Sequence, residues 1–151
     1  MTAFEAGCRP SAEAAALAPT SRTVCRFKRV YALQGRPIGL VSAVVCEFGR
    51  PLTFQAVERL PVYGLLQQIG RISVARADLA VRTCVAGQAD ALALELREGD
   101  PLLAIHRTSY DERARPVETT TFLIRPEHYE FCFSVQGPVQ IAPAIRLVQP
   151  S

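Results

Sequence analysis

Leu102-Leu103-Ala104-Ile105-His106-Arg107-Thr108-Ser109-Tyr110-Asp111 is followed by the polar break Glu112-Arg113-Ala114-Arg115. Then comes Pro116-Val117-Glu118-Thr119-Thr120-Thr121-Phe122-Leu123-Ile124. Two runs rich in β-branched and aromatic residues around a short polar break predict an antiparallel hairpin. Alternation puts Leu103, Ile105 and Arg107 on one side of the first strand. It puts Glu118, Thr120, Phe122 and Ile124 on one side of the second. Arg107 and Glu118 are then diagonal neighbours on otherwise apolar faces. A buried charge is costly unless a partner satisfies it, so a structural ion pair between them is the favoured reading.

Moving upstream, the same pattern occurs again. Val24 to Leu33 predicts a strand, Gln34-Gly35 a turn, and Pro37 to Cys46 a returning strand that is apolar on both faces. An Ala-rich helix ending at Leu17 precedes this hairpin, with Ser11 as its N-cap. Another helix, Ala86 to Leu96, precedes the later hairpin. From Val24 to Leu102 the offset is about 78 residues, and Arg-Pro opens the return strand in both copies, at Arg36-Pro37 and Arg115-Pro116. The expected fold is α+β: a mostly antiparallel sheet with short helices packed on it and an internal pseudo-two-fold repeat. Between the copies, Glu47 to Arg59 reads as a loop, Leu60 to Ile69 as a helix stopped by Gly70, and Arg71 to Val85 as a long strand. A last strand is expected at Tyr129 to Val135.

On the strand Val24 to Leu33, residues Cys25, Phe27, Arg29, Tyr31 and Leu33 share one face. The returning strand offers Arg29 no carboxylate. Its guanidinium either reaches water along its stem or waits for an anion, which a carboxylate or phosphate would supply in bidentate fashion.

Composition narrows the function classes. About half the residues are apolar (49%) and a fifth charged (21%), which is ordinary for a globular domain. The net charge of +3 comes with scattered arginines and no basic tract, too weak for a nucleic-acid surface. Five cysteines, an odd number with no Cys-x-x-Cys pair, point to buried free thiols in a reducing cytoplasm. His106 and His128 stand at no ligand spacing from a cysteine, so no metal is expected. No apolar run is long enough to span a bilayer and no secretory leader opens the chain, so no membrane partner is expected. Ser109 lacks a Gly-x-Ser-x-Gly context, the glycines form no phosphate loop, and no carboxylate pair has an evident general-acid partner. Nothing assembles a reaction; no catalytic residue and no cofactor are expected.

The ordered set Arg26-Phe27-Lys28-Arg29-Val30-Tyr31, Gly35-Arg36-Pro37-Ile38, Pro61-Val62-Tyr63-Gly64-Leu65-Leu66 and Ala89 to Leu96 with Gly99-Asp100-Pro101-Leu102-Leu103 resembles the UTRA domain. So do Arg107-Thr108-Ser109-Tyr110-Asp111, Arg115-Pro116-Val117-Glu118, Arg125 and Tyr129-Glu130-Phe131. This is the chorismate-lyase-like effector domain of the HutC-type branch of GntR transcription regulators. The likeness covers roughly residues 12–133. It implies a homodimeric small-molecule sensor that reports to an N-terminal winged helix-turn-helix.

Fewer than 25 residues precede the first expected strand, so that DNA reader is expected to lie outside this chain. The expected division is residues 1–9 disordered or extraneous, 10–135 the effector domain without its family's opening strand, and 136–151 a tail.

In the family, an Arg-x-Arg on the first hairpin strand, a Glu on the return strand and a later Glu often hold the effector. By position these fall on Arg29, Tyr31, Val41 and Glu118, and a family Tyr falls on Ile124. The resemblance together with the strand faces gives an expected effector-binding set of Arg29, Tyr31, Arg107, Glu118 and Thr120. The loss of charge at Tyr31 and Val41 and the added apolar area, Ile124 included, favour a smaller or more apolar organic acid over a sugar phosphate. Two other readings are a chorismate-lyase-like enzyme acting on an aromatic carboxylate and a dimerisation module that binds nothing.

Overall fold

The structure, a computed structural model, describes residues 3–9, 12–18, 20, 21, 23–130 and 132. Six strands form one antiparallel sheet in the order β1-β2-β3-β6-β5-β4. They are β1 (Ala3–Cys8), β2 (Val24–Leu33), β3 (Arg36–Cys46), β4 (Val74–Val85), β5 (Pro101–Asp111) and β6 (Pro116–Ile124). The expected α+β architecture holds. The two hairpins with the recurring residues lie side by side, joined by antiparallel pairing of β3 with β6.

Turn chemistry sets both hairpins. Leu33 pairs with Arg36 across Gln34-Gly35, whose φ values of 51° and 79° are the two left-handed conformations a tight hairpin needs. The second turn is longer and is held by a side chain. Asp111 Oδ1 accepts from the Arg113 and Arg115 amides, both at 2.9 Å, while Ala114 takes the left-handed conformation at φ 57°. A bulge beyond Ser109 lets the consecutive residues Val117 and Glu118 both be fully buried.

The chain between β3 and β4 covers one face. Helix α1 (Phe54–Arg59) starts at Thr53, whose side chain accepts from the Ala56 amide. Helix α2 (Val62–Gly64) runs on as one π turn, Leu65–Ile69. Val57, Leu65 and Leu66 pack onto Cys25, Phe27, Ala43 and Val45. On the opposite face the 3-10 turn Ala12–Leu17 covers one end and helix α3 (Gln88–Leu94) the other, packing on Leu40 and Leu102. Among the described residues no helix is long and apolar enough to cross a membrane.

Three expectations are corrected. Within residues 1–9, Ala3–Cys8 is an edge strand paired with β2, and it does not fray. Phe4, Ala6 and Cys8 alternate inward, and the buried Glu47 ties the strand down by accepting from the Gly7 amide at 2.9 Å. The same carboxylate accepts from the Leu52 amide at 2.8 Å, a long-range anchor that a short, Gly-bearing stretch does not announce. The segment Glu47 to Arg59 contains α1, which its Thr53 cap starts. Tyr129 and Glu130 are not in a strand. The rest of the strand expected at Tyr129 to Val135 falls, apart from Cys132, outside the described residues, as do Ser11 and the expected tail at 136–151.

Candidate functional site

Strand register sorts the face under α1 and α2 into rows. Cys25, Val45, Glu118 and Ser109 form one row, and Phe27, Ala43, Thr120 and Arg107 the next. Arg29, Val41, Phe122 and Ile105 follow, then Tyr31, Gly39, Ile124 and Leu103. The first two rows hold a buried polar cluster and the last two an apolar cleft.

Glu118 is the hub of the cluster and is fully buried. Arg107 Nε donates to its Oε1 at 2.8 Å, closing the diagonal pair. Ser109 Oγ donates to the same oxygen, Thr120 Oγ1 donates to Oε2, and Tyr63 OH lies 2.9 Å from Ser109 Oγ. The carboxylate therefore has partners on both oxygens, the condition for keeping a charge inside. The Arg107 guanidinium lies 4.4 Å from the Tyr63 ring centre and 5.2 Å from that of Phe122, so aromatic faces flank it.

Arg29 has a different environment. Its Nη2 donates to the Leu60 carbonyl at 2.8 Å, and its guanidinium stands 4.6 Å from the Phe27 ring centre. Its Nε is buried with no acceptor among the described residues, where no carboxylate lies within ion-pair range. Of the two outcomes expected for this group, water along its stem or an anion to come, full solvation is not what the geometry gives. A cleft of about 220 Å³ is lined by Tyr31, Val41, Phe122, Ile124 and Tyr129; Arg29 is the strand partner of Val41 and is not itself part of the lining.

The structure thus brings Arg107, Glu118 and Thr120 into one cluster, and places Tyr31 on the cleft with Arg29 in the row between. Ser109 belongs to the cluster by period two from Arg107, a contact the sequence offers once nucleophilic roles are set aside. Tyr63 and the Leu60 carbonyl come from the helical connection, and no local pattern assigns them to this face. His106 is on the opposite face, where its Nδ1 is 3.1 Å from Thr121 Oγ1. That face also carries a wider trough of about 930 Å³, floored by Ser42, Val44, Thr119 and Thr121. Among the described residues no three of His, Cys, Asp and Glu come together as a metal site.

The family model described as UTRA domain matches residues 6–130. The chain belongs to the UTRA domain family. This UTRA domain is 30% identical over 100 residues to the HTH-type transcriptional regulator Rv0792c of Mycobacterium tuberculosis, a stretch covering 64% of the chain and 37% of that protein. The chain therefore spans well under half the length of that curated relative. Among solved structures it resembles the ligand-binding domain of a GntR-family transcriptional regulator from Bordetella bronchiseptica, at 28% identity and a TM-score of 0.79. That match covers 89% of this chain and 87% of the other. A transcriptional regulator from Streptomyces coelicolor matches at 27% identity and a TM-score of 0.74, over 90% and 95% of the two chains. The expected family is borne out.

Proposed function

We propose that this UTRA domain is the effector-sensing, homodimeric part of a GntR-family transcription regulator. Its effector is a small organic acid whose carboxylate meets Arg29 and whose body fills the cleft at Tyr31, Val41, Phe122 and Ile124. The observation that carries this reading is the Arg29 guanidinium, partly buried, without a carboxylate partner and with its Nε donor unmatched. A donor left unmatched in the interior costs about 1–3 kcal/mol, which an incoming acceptor would recover. Arg107 and Glu118 neutralise each other, so their part is to hold Thr120 and Phe122 rigid beside the ligand. A cleft of about 220 Å³ lies below the usual range for drug-sized ligands, about 300–1,000 Å³, which suits a small acid. On the other face Arg26 lines the wider trough in a like state, its Nε also unmatched and its Nη2 donating to the Arg9 carbonyl; the family resemblance, which falls on Arg29, favours the cleft.

Arg29 also ties β2 to Leu60 at the end of α1. A carboxylate that drew the guanidinium into the cleft would compete for that tie and so bias how the helical connection packs. Ligand would act on DNA through a winged helix-turn-helix of the parent protein, by preferring one arrangement of the dimer over another.

The test is thermal unfolding of this chain with small carboxylic acids, phosphosugars and neutral analogues. At about 100 times its dissociation constant a true ligand adds roughly 2.7 kcal/mol of stability. Stabilisation by acids, abolished in Arg29→Ala, is expected. Stabilisation only by phosphosugars, or an acid effect that survives Arg29→Ala, would overturn the assignment. Incubation with chorismate is expected to yield no 4-hydroxybenzoate; its appearance would favour an enzyme.

A further inference from the structure

Strand β4 is the longest of the six and lies at the sheet edge. Only Val74, Ala77 and Cys84 are even partly covered, and Leu79, Val81 and Val85 are exposed at 53%, 40% and 67%. The other edge, β1, is half as long, irregular between Glu5 and Cys8, and anchored by Glu47. Natural sheets blunt their edges with prolines, charged side chains (lysine above all), bulges or short strands, because an open edge invites another strand. Between Arg76 and Val85 β4 has no proline, lysine or register shift, and its charges, Arg76, Asp78 and Arg82, are of mixed sign.

We infer that β4 is the dimerisation edge, pairing antiparallel with β4 of a second copy of this chain, Ala80 against Ala80, to make one continuous sheet. The inference rests on the homodimer reading above and names its surface. A two-fold axis through a sheet pairs residues that leave the same face, so one residue must oppose its own counterpart. Centring on Ala80 pairs residues 75–85 of both strands. It sets Asp78 opposite Arg82 of the partner subunit, and Arg82 opposite Asp78 of the partner subunit. On the other face Leu79 meets the partner's Val81, again twice.

The neighbouring registers are worse. Centring on Leu79 sets Arg76 against the partner's Arg82 twice, and like charges directly opposite are destabilising. Centring on Val81 shortens the overlap to residues 77–85 and leaves Asp78 facing the partner's Cys84. Arg82 has no ion pair among the described residues, while Asp78 is bound only to the exposed Arg76, at 3.0 Å. Charge and apolar matches coincide in one register, and that coincidence selects a second copy as the occupant.

Sedimentation velocity on the 151-residue chain, with circular dichroism to confirm folding, tests this. Wild type is expected to be a dimer. Asp78→Arg and Arg82→Asp should each weaken it roughly tenfold or more, since two pairs turn from attraction to repulsion. The double variant should restore association. So should mixing the two single variants, because the mixed pair again sets each Arg against an Asp. A wild-type dimer that ignores both single substitutions overturns the β4 surface and leaves the dimer reading standing. A wild-type monomer at tens of micromolar overturns both.

Discussion

Replacing Arg107 by methionine isolates the energetics of the buried cluster. Glu118 is fully buried and the Arg107 side chain is 16% exposed, so the pair lies well inside the low-dielectric region. Removing one partner of a buried pair typically costs about 3–5 kcal/mol, because the remaining charge stays uncompensated. Here Ser109 and Thr120 still donate to Glu118, which returns part of that cost. Loss of the aromatic contacts with Tyr63 and Phe122 adds roughly 0.5–2 kcal/mol. The expected loss for Arg107→Met is therefore about 3–4 kcal/mol.

Removing the charge at both positions, Arg107→Met with Glu118→Leu, should cost far less, about 1–2 kcal/mol. It leaves only the Thr120 hydroxyl without its acceptor, since Ser109 keeps Tyr63. Urea unfolding followed by far-ultraviolet circular dichroism suits a chain with no tryptophan. A single-variant loss below about 1 kcal/mol, or a double variant that costs the sum of the singles, would refute the reasoning.

Thiol reactivity should follow depth. Burial, reinforced by the nearby Glu47 carboxylate, pushes the Cys25 thiol up to about 12, and burial pushes Cys46 to about 12 as well. At pH 8 a disulfide reagent should therefore modify the exposed Cys132 first and reach Cys25 and Cys46 only on unfolding; rapid native-state loss of either would contradict their placement. For Asp111, burial alone would raise the carboxyl, but hydrogen bonds from Arg115 and from the Arg113 amide, with the Arg115 charge, hold it below its ordinary value of 3.8. A depressed folded-state value means a stabilisation fully present above that pH and lost as pH falls through the lower folded value. Asp111→Asn should flatten the acid limb of the stability profile, and an unchanged limb would show that the turn does not depend on this charge.

Much of this arrangement was legible because it is local. The β2 and β6 boundaries follow from alternation, and the Arg107–Glu118 diagonal from the register of a single hairpin, 11 residues apart in sequence. Helix α1 was not legible, because a helix of only six residues after an irregular stretch reads as part of a loop. The effector-binding roles themselves rest on the family resemblance, since no hairpin pattern distinguishes a ligand arginine from a structural one.

Sequence alone determined which residues share a face, because a period of two is a property of the extended backbone itself. It also determined that Arg29 would find no carboxylate on its own hairpin. Only the tertiary structure decided what meets those faces. Leu60 reaches Arg29 across 31 residues and Tyr63 reaches Ser109 across 46, and Glu47 holds β1 from 40 residues away. Such contacts depend on where the helical connection lands on the sheet, which is set by packing of the whole core and by no pattern along the chain.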